Sequence, residues 1–551
     1  MSFIPESDGA EEFGLSADAT TPKEEADYGT AQVLHSGILL AQPDRPPSQI
    51  PSNPDALGSI QRLTDATEAK IARLTAEIDE LDLLRQRERR VLAELHLMAV
   101  PIGKMPIELL VELFKMVGHT VVLHQDPRAL DSIGGSPWNA CAFNYQEVSL
   151  SLALKQVLRL CQVCTYWRQV AHNTPRLWAE GVVRLQLDRE YLGRSYKEGL
   201  ETQLVRSAPC LLSLSLHQKN TTMPGASFFK GVMDQTARRI LNLCVNAPCF
   251  PPFDLSPGTF EALERLSISN AGHQARPVTV FEHSPWLKQF VFHSSRFFSG
   301  IRLFQMPWAQ LTALVVEDES LGACREILTQ CTNLITAGII TSLWWDDLLD
   351  AAHSSLVALP FLKTLAVSFN NASSTEISGL TAFLSPLALP SLITLEIGFS
   401  EQLEETWPTA VLSDFQGRSP KIESMSFDHS FCDTEDMLRL LRQSPALKSL
   451  DLTRNFRCVT DDLLRALRYD ESEPTPLAPQ LQDMTLSLGE CTQSLLEDTI
   501  RSRWWTDATL PSPEPRIKRL DEVVILENSL SPGFEDRVRD LVDHGPLWLH
   551  G

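Results

Sequence analysis

The feature that most constrains the fold is a short apolar pattern, L-x-x-L-x-L with aliphatic or aromatic replacements, which recurs through the C-terminal two thirds of the chain. Twelve copies begin at Leu211, Ile240, Leu263, Leu287, Leu311, Leu334, Leu362, Leu392, Ile422, Leu447, Leu481 and Leu520. Most starts are 23–30 residues apart, and the last two intervals are 34 and 39 residues. A period of this size predicts a repeat array in which each copy supplies one short strand.

The residues that flank the pattern agree with this prediction. Proline stands two residues before the first position in seven copies, at Pro209, Pro285, Pro360, Pro390, Pro420, Pro445 and Pro479. At that place proline ends a preceding helix and favours an extended entry into the strand. Helical patterns follow, such as "FSGIRLFQMPWAQ" (298–310) and "TEDMLRLLRQS" (434–444). Each unit is therefore predicted to be a strand, a turn and a helix.

One such unit cannot fold alone. Burying its three or four motif side chains stabilises it by roughly 1.5–3 kcal/mol each, whereas ordering about 28 residues costs about 1–2 kcal/mol per residue. Stacking on both neighbours makes up the difference. Across roughly Leu211 to Ile525 the chain resembles leucine-rich repeat proteins, which implies an α/β solenoid with a parallel sheet on its concave side. The chain is expected to depart from the usual pattern at the Asn or Cys three residues after the third leucine, for instance at Ala271 and Phe456, and loss of this buried amide ladder predicts an irregular array.

Two further regions precede the repeats. Residues 1–56 are acidic and rich in Pro, Ser and Asp, which predicts a disordered tail. From 57 to 99, apolar residues seven apart predict one long amphipathic helix with two seams. The seams consist of Leu57, Ile71, Ile78 and Leu92, and of Ile60, Leu74, Leu81 and Leu95. Polar residues interrupt both seams, so pairing with a second chain and packing on the same chain remain alternatives.

Residues 100–180 contain two apolar helical segments, "PIGKMPIELLVELF" and "LCQVCTYWRQVAHNTPRLW", with an irregular loop over about 118–150. Together these segments resemble an F-box of the form found in large fungal-type families. The second segment carries the more specific match, which is Val163, Cys164, Trp167, Arg168, Ala171, Thr174, Pro175, Leu177 and Trp178. A long helix ahead and a leucine-rich solenoid over 181–551 are the usual neighbours of such an F-box.

The resemblance implies a substrate-recognition subunit of a Skp-cullin-F-box ubiquitin ligase, without catalytic residues or cofactors of its own. The F-box would bind a Skp-type adaptor, and through it a cullin, by laying an apolar helix face into a groove. By family analogy, adaptor contact is expected at Met105, Pro106, Ile107, Leu109, Leu110, Leu113, Phe114, Val163 and Trp167. Some of these residues, Trp167 above all, could instead hold the F-box together internally.

The solenoid would then hold the target protein. In each motif the leucines point inward, so the residue between the second and third leucines faces the concave side. These residues are Ser215, Cys244, Ser267, Val291, Val315, Gly338, Ala366, Glu396, Ser426, Asp451, Thr485 and Val524. A basic segment of the target is expected at the acidic second half, through Glu396, Asp428, Asp451, Asp483 and Glu522. Ordinary solvated surface charge is the alternative.

Composition excludes several other classes of function. The net charge of -22 disfavours nucleic acid and anionic membranes, because both are held by Lys and Arg. No phosphate loop, nucleophile elbow or cluster of zinc ligands is recognisable, so an enzyme is not expected. A lone CxxC at Cys161 and Cys164 suits burial better than zinc.

A cytoplasmic or nuclear protein follows from the scattered cysteines and the lack of a signal peptide. An interaction scaffold without a ligase role is the alternative to the ubiquitin-ligase receptor.

Overall fold

A computed structural model of the chain describes residues 54–99, 105–123, 151–186, 194–218, 226–247, 255–256, 258–271, 277–294, 300–341, 356–369, 376–399, 409–428, 432–472, 474–489, 491–505, 516–526, 532–538, 541 and 547–550. These residues belong to two compact units, Met1–Lys104 and Met105–Gly551, which are described separately. The predicted tail lies outside the described residues as far as residue 53. The same holds for residues 124–150 of the predicted loop.

The described part of the first unit is one long helix, α1 (Pro54–Ala99), which begins three residues before the predicted start. The polar residues that interrupt the seams do not break it. The hydroxyls of Thr64 and Thr67 donate to the carbonyls of Ile60 and Leu63 at 3.0 Å, so these polar groups are satisfied within the helix. The seam itself is open to solvent. Between 44% and 63% of each described seam side chain is exposed, at Ile60, Ile71, Leu74, Ile78, Leu81, Leu92 and Leu95.

The second unit starts with four helices, termed here the helical cluster: α2 (Ile107–Leu123), α3 (Ser151–Val163), α4 (Thr165–His172) and α5 (Pro175–Ala179). Pro106 directly precedes α2, where its fixed φ suits a helix start. The second F-box-like segment is not one helix. The backbone of Cys164 is extended and its sulfur accepts a hydrogen bond from the backbone N–H of Trp167 at 3.3 Å, so α3 ends and α4 begins there.

The rest of the second unit is a repeat solenoid built on one 14-stranded parallel sheet. The strands are β1 (Val182–Gln186), β2 (Leu212–His217), β3 (Ile240–Asn246), β4 (Arg265–Ala271), β5 (Gln289–Ser294), β6 (Ala313–Glu317), β7 (Thr336–Thr341), β8 (Val357–Ala358), β9 (Thr364–Phe369), β10 (Leu387–Ala388), β11 (Thr394–Phe399), β12 (Ser424–Asp428), β13 (Ser449–Leu452), β14 (Asp483–Ser487), β15 (Glu522–Leu526) and β16 (Leu547–His550). β8 and β10 pair only with each other, and the other strands follow one another in chain order. The α/β repeat solenoid predicted from the motif is thus confirmed.

Helices connect the strands. They are α6 (Arg194–Arg206), α7 (Ala226–Thr236), α8 (Leu321–Gln330), α9 (Glu376–Leu384), α10 (Thr409–Arg418), α11 (Thr434–Arg442), α12 (Asp461–Leu467), α13 (Gln493–Ser502) and α14 (Pro532–Arg537). The segment 298–310 differs from its predicted helix. Its described residues form two short 3-10 turns, Ile301–Leu303 and Trp308–Gln310, and Pro307 lies between them. The helices and the motif side chains share one continuous apolar core.

The register of the sheet follows the motif. The twelve residues between the second and third motif leucines lie in a single row across twelve strands, in which Ser215 pairs with Cys244 and Asp451 with Thr485. The first motif position is predicted correctly in eleven copies. In the first copy Leu211 is 49% exposed and its neighbour Leu212 is buried instead.

Side chains that follow the third motif residue by three positions also bridge repeats. Asn455 occupies this place in the tenth copy, is buried, and donates its amide N–H to the carbonyl of Phe427. The prediction that Phe456 stands at the ladder position is wrong, because Phe456 follows the third motif residue, Leu452, by four positions and Asn455 follows it by three. In the fifth copy Glu319 takes the same place, and its buried carboxylate accepts backbone N–H groups of Gly300 and Ile301 at 2.7 and 3.1 Å.

Candidate partner-binding surfaces

The helical cluster closes a small core of its own, distinct from the core of the solenoid. It is formed by Leu110, Phe114, Val157, Leu160, Cys161, Val170, Ala171, Leu177 and Trp178. Leu110 and Phe114 are 0% and 1% exposed. These two residues were expected at an adaptor-binding face. The structure places them in the interior, because α3 packs across this side of α2, so they are not available at the surface.

Trp167 is also drawn to the interior. Its ring is half-buried, and its centroid lies 4.9 Å from that of Phe114 with a tilt of 59°. Aromatic pairs favour such a tilted contact over face-to-face stacking. Of the two roles left open for Trp167, this geometry supports the internal one.

A stripe of apolar side chains runs along a second side of α2, next to the buried one. Leu109 is 58% exposed, Met116 is 69% exposed, and Leu113 between them is half-buried. Their spacing of four and then three residues places all three on one helix face. We call Leu109, Leu113 and Met116 the outer stripe. Met116 was not among the predicted contact residues, although it stands seven residues after Leu109 and could have been found by that spacing.

The remaining predicted contact residues lie around the start of α2 and the end of α3. Pro106 is exposed, Ile107 is 53% exposed, and Val163 is 59% exposed. Met105 is half-buried and packs against the core of the helical cluster. Leu158, which was not predicted, is 43% exposed. An apolar surface therefore remains outside the closed core of the cluster.

The CxxC pair has a structural explanation. Burial raises the pKa of the Cys161 thiol, and the sulfur of Cys164 caps α4. The backbone carbonyl of Cys161 also accepts a hydrogen bond from Arg168 Nε at 2.8 Å. Within the part of the chain that the structure describes, no three His, Cys, Asp or Glu side chains are grouped to hold a metal ion.

Trp178 joins the helical cluster to the first helix of the solenoid. Its indole Nε1–H donates to the carbonyl of Ala171 at 2.7 Å, and the guanidinium of Arg206 on α6 lies 4.6 Å from the centroid of its ring. Gln203 on α6 donates to the carbonyl of Trp178 at 3.4 Å. These contacts tie the C-terminal end of the F-box-like segment to the repeats.

The solenoid has a second candidate surface on the sheet face that carries the row of middle motif residues, termed here the open face. Its first half, over β1 to β6, is largely apolar. It forms an open hollow with a volume of about 90 Å3. Side chains such as Cys244, Val291 and Val315 line this hollow together with Ser213 and Asn242.

The five acidic residues expected to bind a target lie on the open face of the second half, in three different rows. Glu396 and Asp451 belong to the middle row, with Ser426 between them. Asp483 and Glu522 face each other in the row that precedes it, and Asp428 pairs with Gly398 in the row that follows. The sheet thus brings all five side chains to one face, as predicted from alternation along the strands.

The surroundings of these carboxylates differ. Asp451 accepts hydrogen bonds from Ser426 Oγ at 3.2 Å and from the backbone N–H and hydroxyl of Thr453. Asp428 pairs with Arg454 at 3.5 Å. Sequence reasoning missed Arg454, which lies in a turn with φ of 55° that no sequence pattern indicated.

Asp483 is in the least favourable electrostatic position of the five. Burial raises its pKa, and the neighbouring carboxylates of Glu522 and Asp521 raise it further. Two acidic residues directly opposite each other on adjacent strands destabilise a sheet. The second half of the open face thus brings like charges together at Asp483 and Glu522.

No protein-family model matches the chain, and no curated protein matches it. The chain is similar to a solved structure titled "Crystal structure of TLR13-ssRNA13 complex", with 13% sequence identity and a TM-score of 0.24. The similarity covers 51% of this chain and 50% of that chain, so this chain spans about half the length of that relative. None of the helices in the described ranges combines the length and hydrophobicity needed to cross a membrane.

Proposed function

We propose that the protein is the substrate-recognition subunit of a Skp-cullin-F-box ubiquitin ligase, in which the helical cluster binds the adaptor and the solenoid binds the target. The outer stripe of α2 is the observation that supports this function best. It remains at the surface although the helical cluster has already closed its own core. In this role the chain brings two proteins together and performs no catalytic step.

The energetics of the outer stripe favour a protein partner. Fully burying a Leu or Met side chain stabilises a complex by about 1.5–3 kcal/mol relative to leaving it exposed. Leu109 and Met116 retain more than half of their accessible surface, so covering them in a groove recovers a large share of that free energy. Anchors at i, i+4 and i+7 are the pattern by which amphipathic helices bind hydrophobic grooves.

Burial separates two groups of residues in this proposal. The predicted residues Leu109, Ile107 and Val163, together with Met116, would touch the adaptor, because their side chains are exposed. Leu110 and Phe114 would act only by holding α2 against α3. A charged substitution at Leu110 would unfold the cluster, and it cannot serve as a test of binding.

The test uses the full chain and a purified Skp-type adaptor. Leu109→Asp with Met116→Asp is expected to weaken adaptor binding at least about 100-fold, because two charges enter an apolar contact. Val205→Asp on α6 is the matched control, since Val205 is 71% exposed and lies outside the helical cluster. Adaptor and cullin should be recovered with wild type and with the control, and ubiquitin transfer to a bound target should depend on the stripe.

Two outcomes would contradict the proposal. Failure of the wild-type chain to bind the adaptor, with the helices intact by circular dichroism, would leave an interaction scaffold as the function. Unchanged binding by the double variant would remove the outer stripe as the contact.

Within the same proposal, the acidic half of the open face binds a basic segment of the target. A fluorescent lysine- and arginine-rich peptide is the probe. Asp451→Lys with Asp483→Lys should weaken its binding at least about tenfold, and salt should weaken binding to wild type. Asp462→Lys on α12 is the control, because its side chain is 77% exposed but lies on a helix. Equal affinity in all three proteins would favour simple solvated charge.

A further inference from the structure

The seam of α1 is an interaction surface that the proposed function does not use. It extends along a 46-residue helix, which is about 69 Å long at 1.5 Å per residue. We propose that the seam pairs with the seam of a second copy of this chain, in an antiparallel two-stranded coiled coil. The inference concerns α1 alone and does not depend on ligase function.

The first argument is the seven-residue repeat in the middle of the helix. Ile71 and Ile78 occupy one seam position, and Leu74 and Leu81 occupy the other. An α-helix has 3.6 residues per turn, so a stripe that repeats every seven residues drifts slowly around a straight helix. The stripe keeps facing a partner helix only if the two helices wrap around each other. The four side chains are 44–63% exposed, so a partner is needed to bury them.

The second argument is that the seam is complementary to itself when the copies run in opposite directions. If Ile71 of one copy faces Leu81 of the other, then Leu74 faces Ile78, and Ile60 faces Leu92. Each apolar seam residue of α1 thus faces an apolar seam residue of the second copy. In the same register Thr67 faces Arg85 and Thr64 faces Glu88, so the polar layers also coincide.

The polar layers argue against the parallel alternative. Two parallel copies in register would place Arg85 on Arg85 and Glu88 on Glu88 inside the seam, where like charges are costly. The antiparallel register also brings Leu63 next to Val91 of the second copy. Both are flanking residues, 72% and 43% exposed, which a parallel pair would leave beside charged residues. The antiparallel register does bring Glu68 near Asp82, and Glu77 near Glu77 of the second copy, at the rim, but exposed charges there are screened by water.

Antiparallel pairing has a geometric consequence. The two copies of Ala99 would lie at opposite ends of the coiled coil, separated by about the full length of the helix.

Light scattering and sedimentation of the full chain at about 20 µM test the pairing. Wild type should have twice the mass of one chain. Ile71→Lys with Ile78→Lys should weaken association at least about 100-fold and give a monomer. Leu83→Lys is the matched control, because Leu83 is 67% exposed on α1 but lies away from both seams, and it should remain a dimer.

The direction of the pair is tested by Thr67→Glu. In the antiparallel register the new carboxylate meets Arg85 of the second copy, so association should tighten about fivefold. In a parallel pair it would meet its own copy and weaken association. A monomeric wild type, a dimer that persists in the double lysine variant, or a dimer weakened by Thr67→Glu would each overturn the proposal. None of these outcomes bears on adaptor binding by α2.

Discussion

Arg503 is the largest side chain that the described part of the protein buries completely. Its guanidinium donates to the carbonyls of Leu467, Leu477 and Ala478, which belong to the end of α12 and the long insertion before β14. Burial lowers its pKa to about 10, so it remains charged at neutral pH. The cation thereby satisfies carbonyl groups that the insertion would otherwise leave buried and unpaired.

Replacing Arg503 should therefore loosen this insertion. Arg503→Met is expected to cost about 2–4 kcal/mol in the free energy of unfolding, because several buried acceptors lose their donors. Hydrogen exchange should show lost protection around 466–481. Arg465→Met is the control, since Arg465 is 59% exposed and pairs only with surface aspartates. It should change stability by less than about 1 kcal/mol. Similar losses in the two variants would contradict this account.

The second prediction at residue scale concerns pH. The raised pKa of Asp483 means that the folded protein binds this proton more tightly than the unfolded chain. The folded state therefore loses stability as pH rises through that pKa. Asp483→Asn should stabilise the protein at pH 7 by about 0.2–1 kcal/mol, and the gain should shrink as pH falls towards 4.

Thermal unfolding at several pH values measures this difference. Asp462→Asn, on the surface of α12, should give no gain at any of them. A gain from Asp483→Asn that does not depend on pH would show that ionisation of Asp483 is not its cause.

At the scale of elements, Gly489 determines how the turn after β14 meets the preceding repeat. It stands at the ladder position that Asn455 fills one repeat earlier. A Cβ there would overlap the carbonyl of Phe456, with the carbonyl carbon at 2.9 Å, and would lie 3.1 Å from the carbonyl oxygen of Val459. Both obstacles are backbone atoms, which cannot swing away.

Gly489→Ala should thus destabilise the protein by about 1–3 kcal/mol, as overpacking does. Gly417→Ala in α10 is the matched control, because nothing lies within 4 Å of its added Cβ. Alanine is the better helix former, so this variant should gain up to about 1 kcal/mol. Chemical denaturation compares the two, and a stabilising Gly489→Ala would refute the close approach.

The helical elements also show that the periodicity of apolar residues does not predict which side of a helix is buried. The pattern in 107–116 predicts a short apolar helix, and α2 forms there. It does not separate Leu110 and Phe114, which are buried, from Leu109 and Met116, which are exposed. Almost every side of this helix carries a large apolar residue. Which side becomes the interior is decided by α3, whose position follows from packing.

At the scale of the whole solenoid, each repeat is stabilised by its neighbours. A destabilising substitution should therefore affect only the repeats adjacent to it. Phe290 is fully buried and its ring contacts those of Phe292, Phe304 and Trp308. Phe290→Ala should cost about 3–5 kcal/mol. Hydrogen exchange should rise in β4 to β7 and remain unchanged in β13 to β15. Uniform loss of protection over all strands would indicate a single cooperative unit.

The sequence by itself determined the repeat, the strands and their register. Each copy of the motif buries three residues at one spacing, and a slip of one residue would turn every one of them outward. The row of middle residues and the gathering of five carboxylates on one face follow from that single constraint.

The tertiary structure alone decided which apolar residues remain at the surface, and where irregular segments go. Ile301–Leu303 and Trp308–Gln310 became 3-10 turns around Pro307, Leu212 replaced Leu211 in the core, and α2 kept its outer stripe. The reason is physical. Periodicity records that a residue is apolar, whereas burial depends on the shape and position of whatever packs against it.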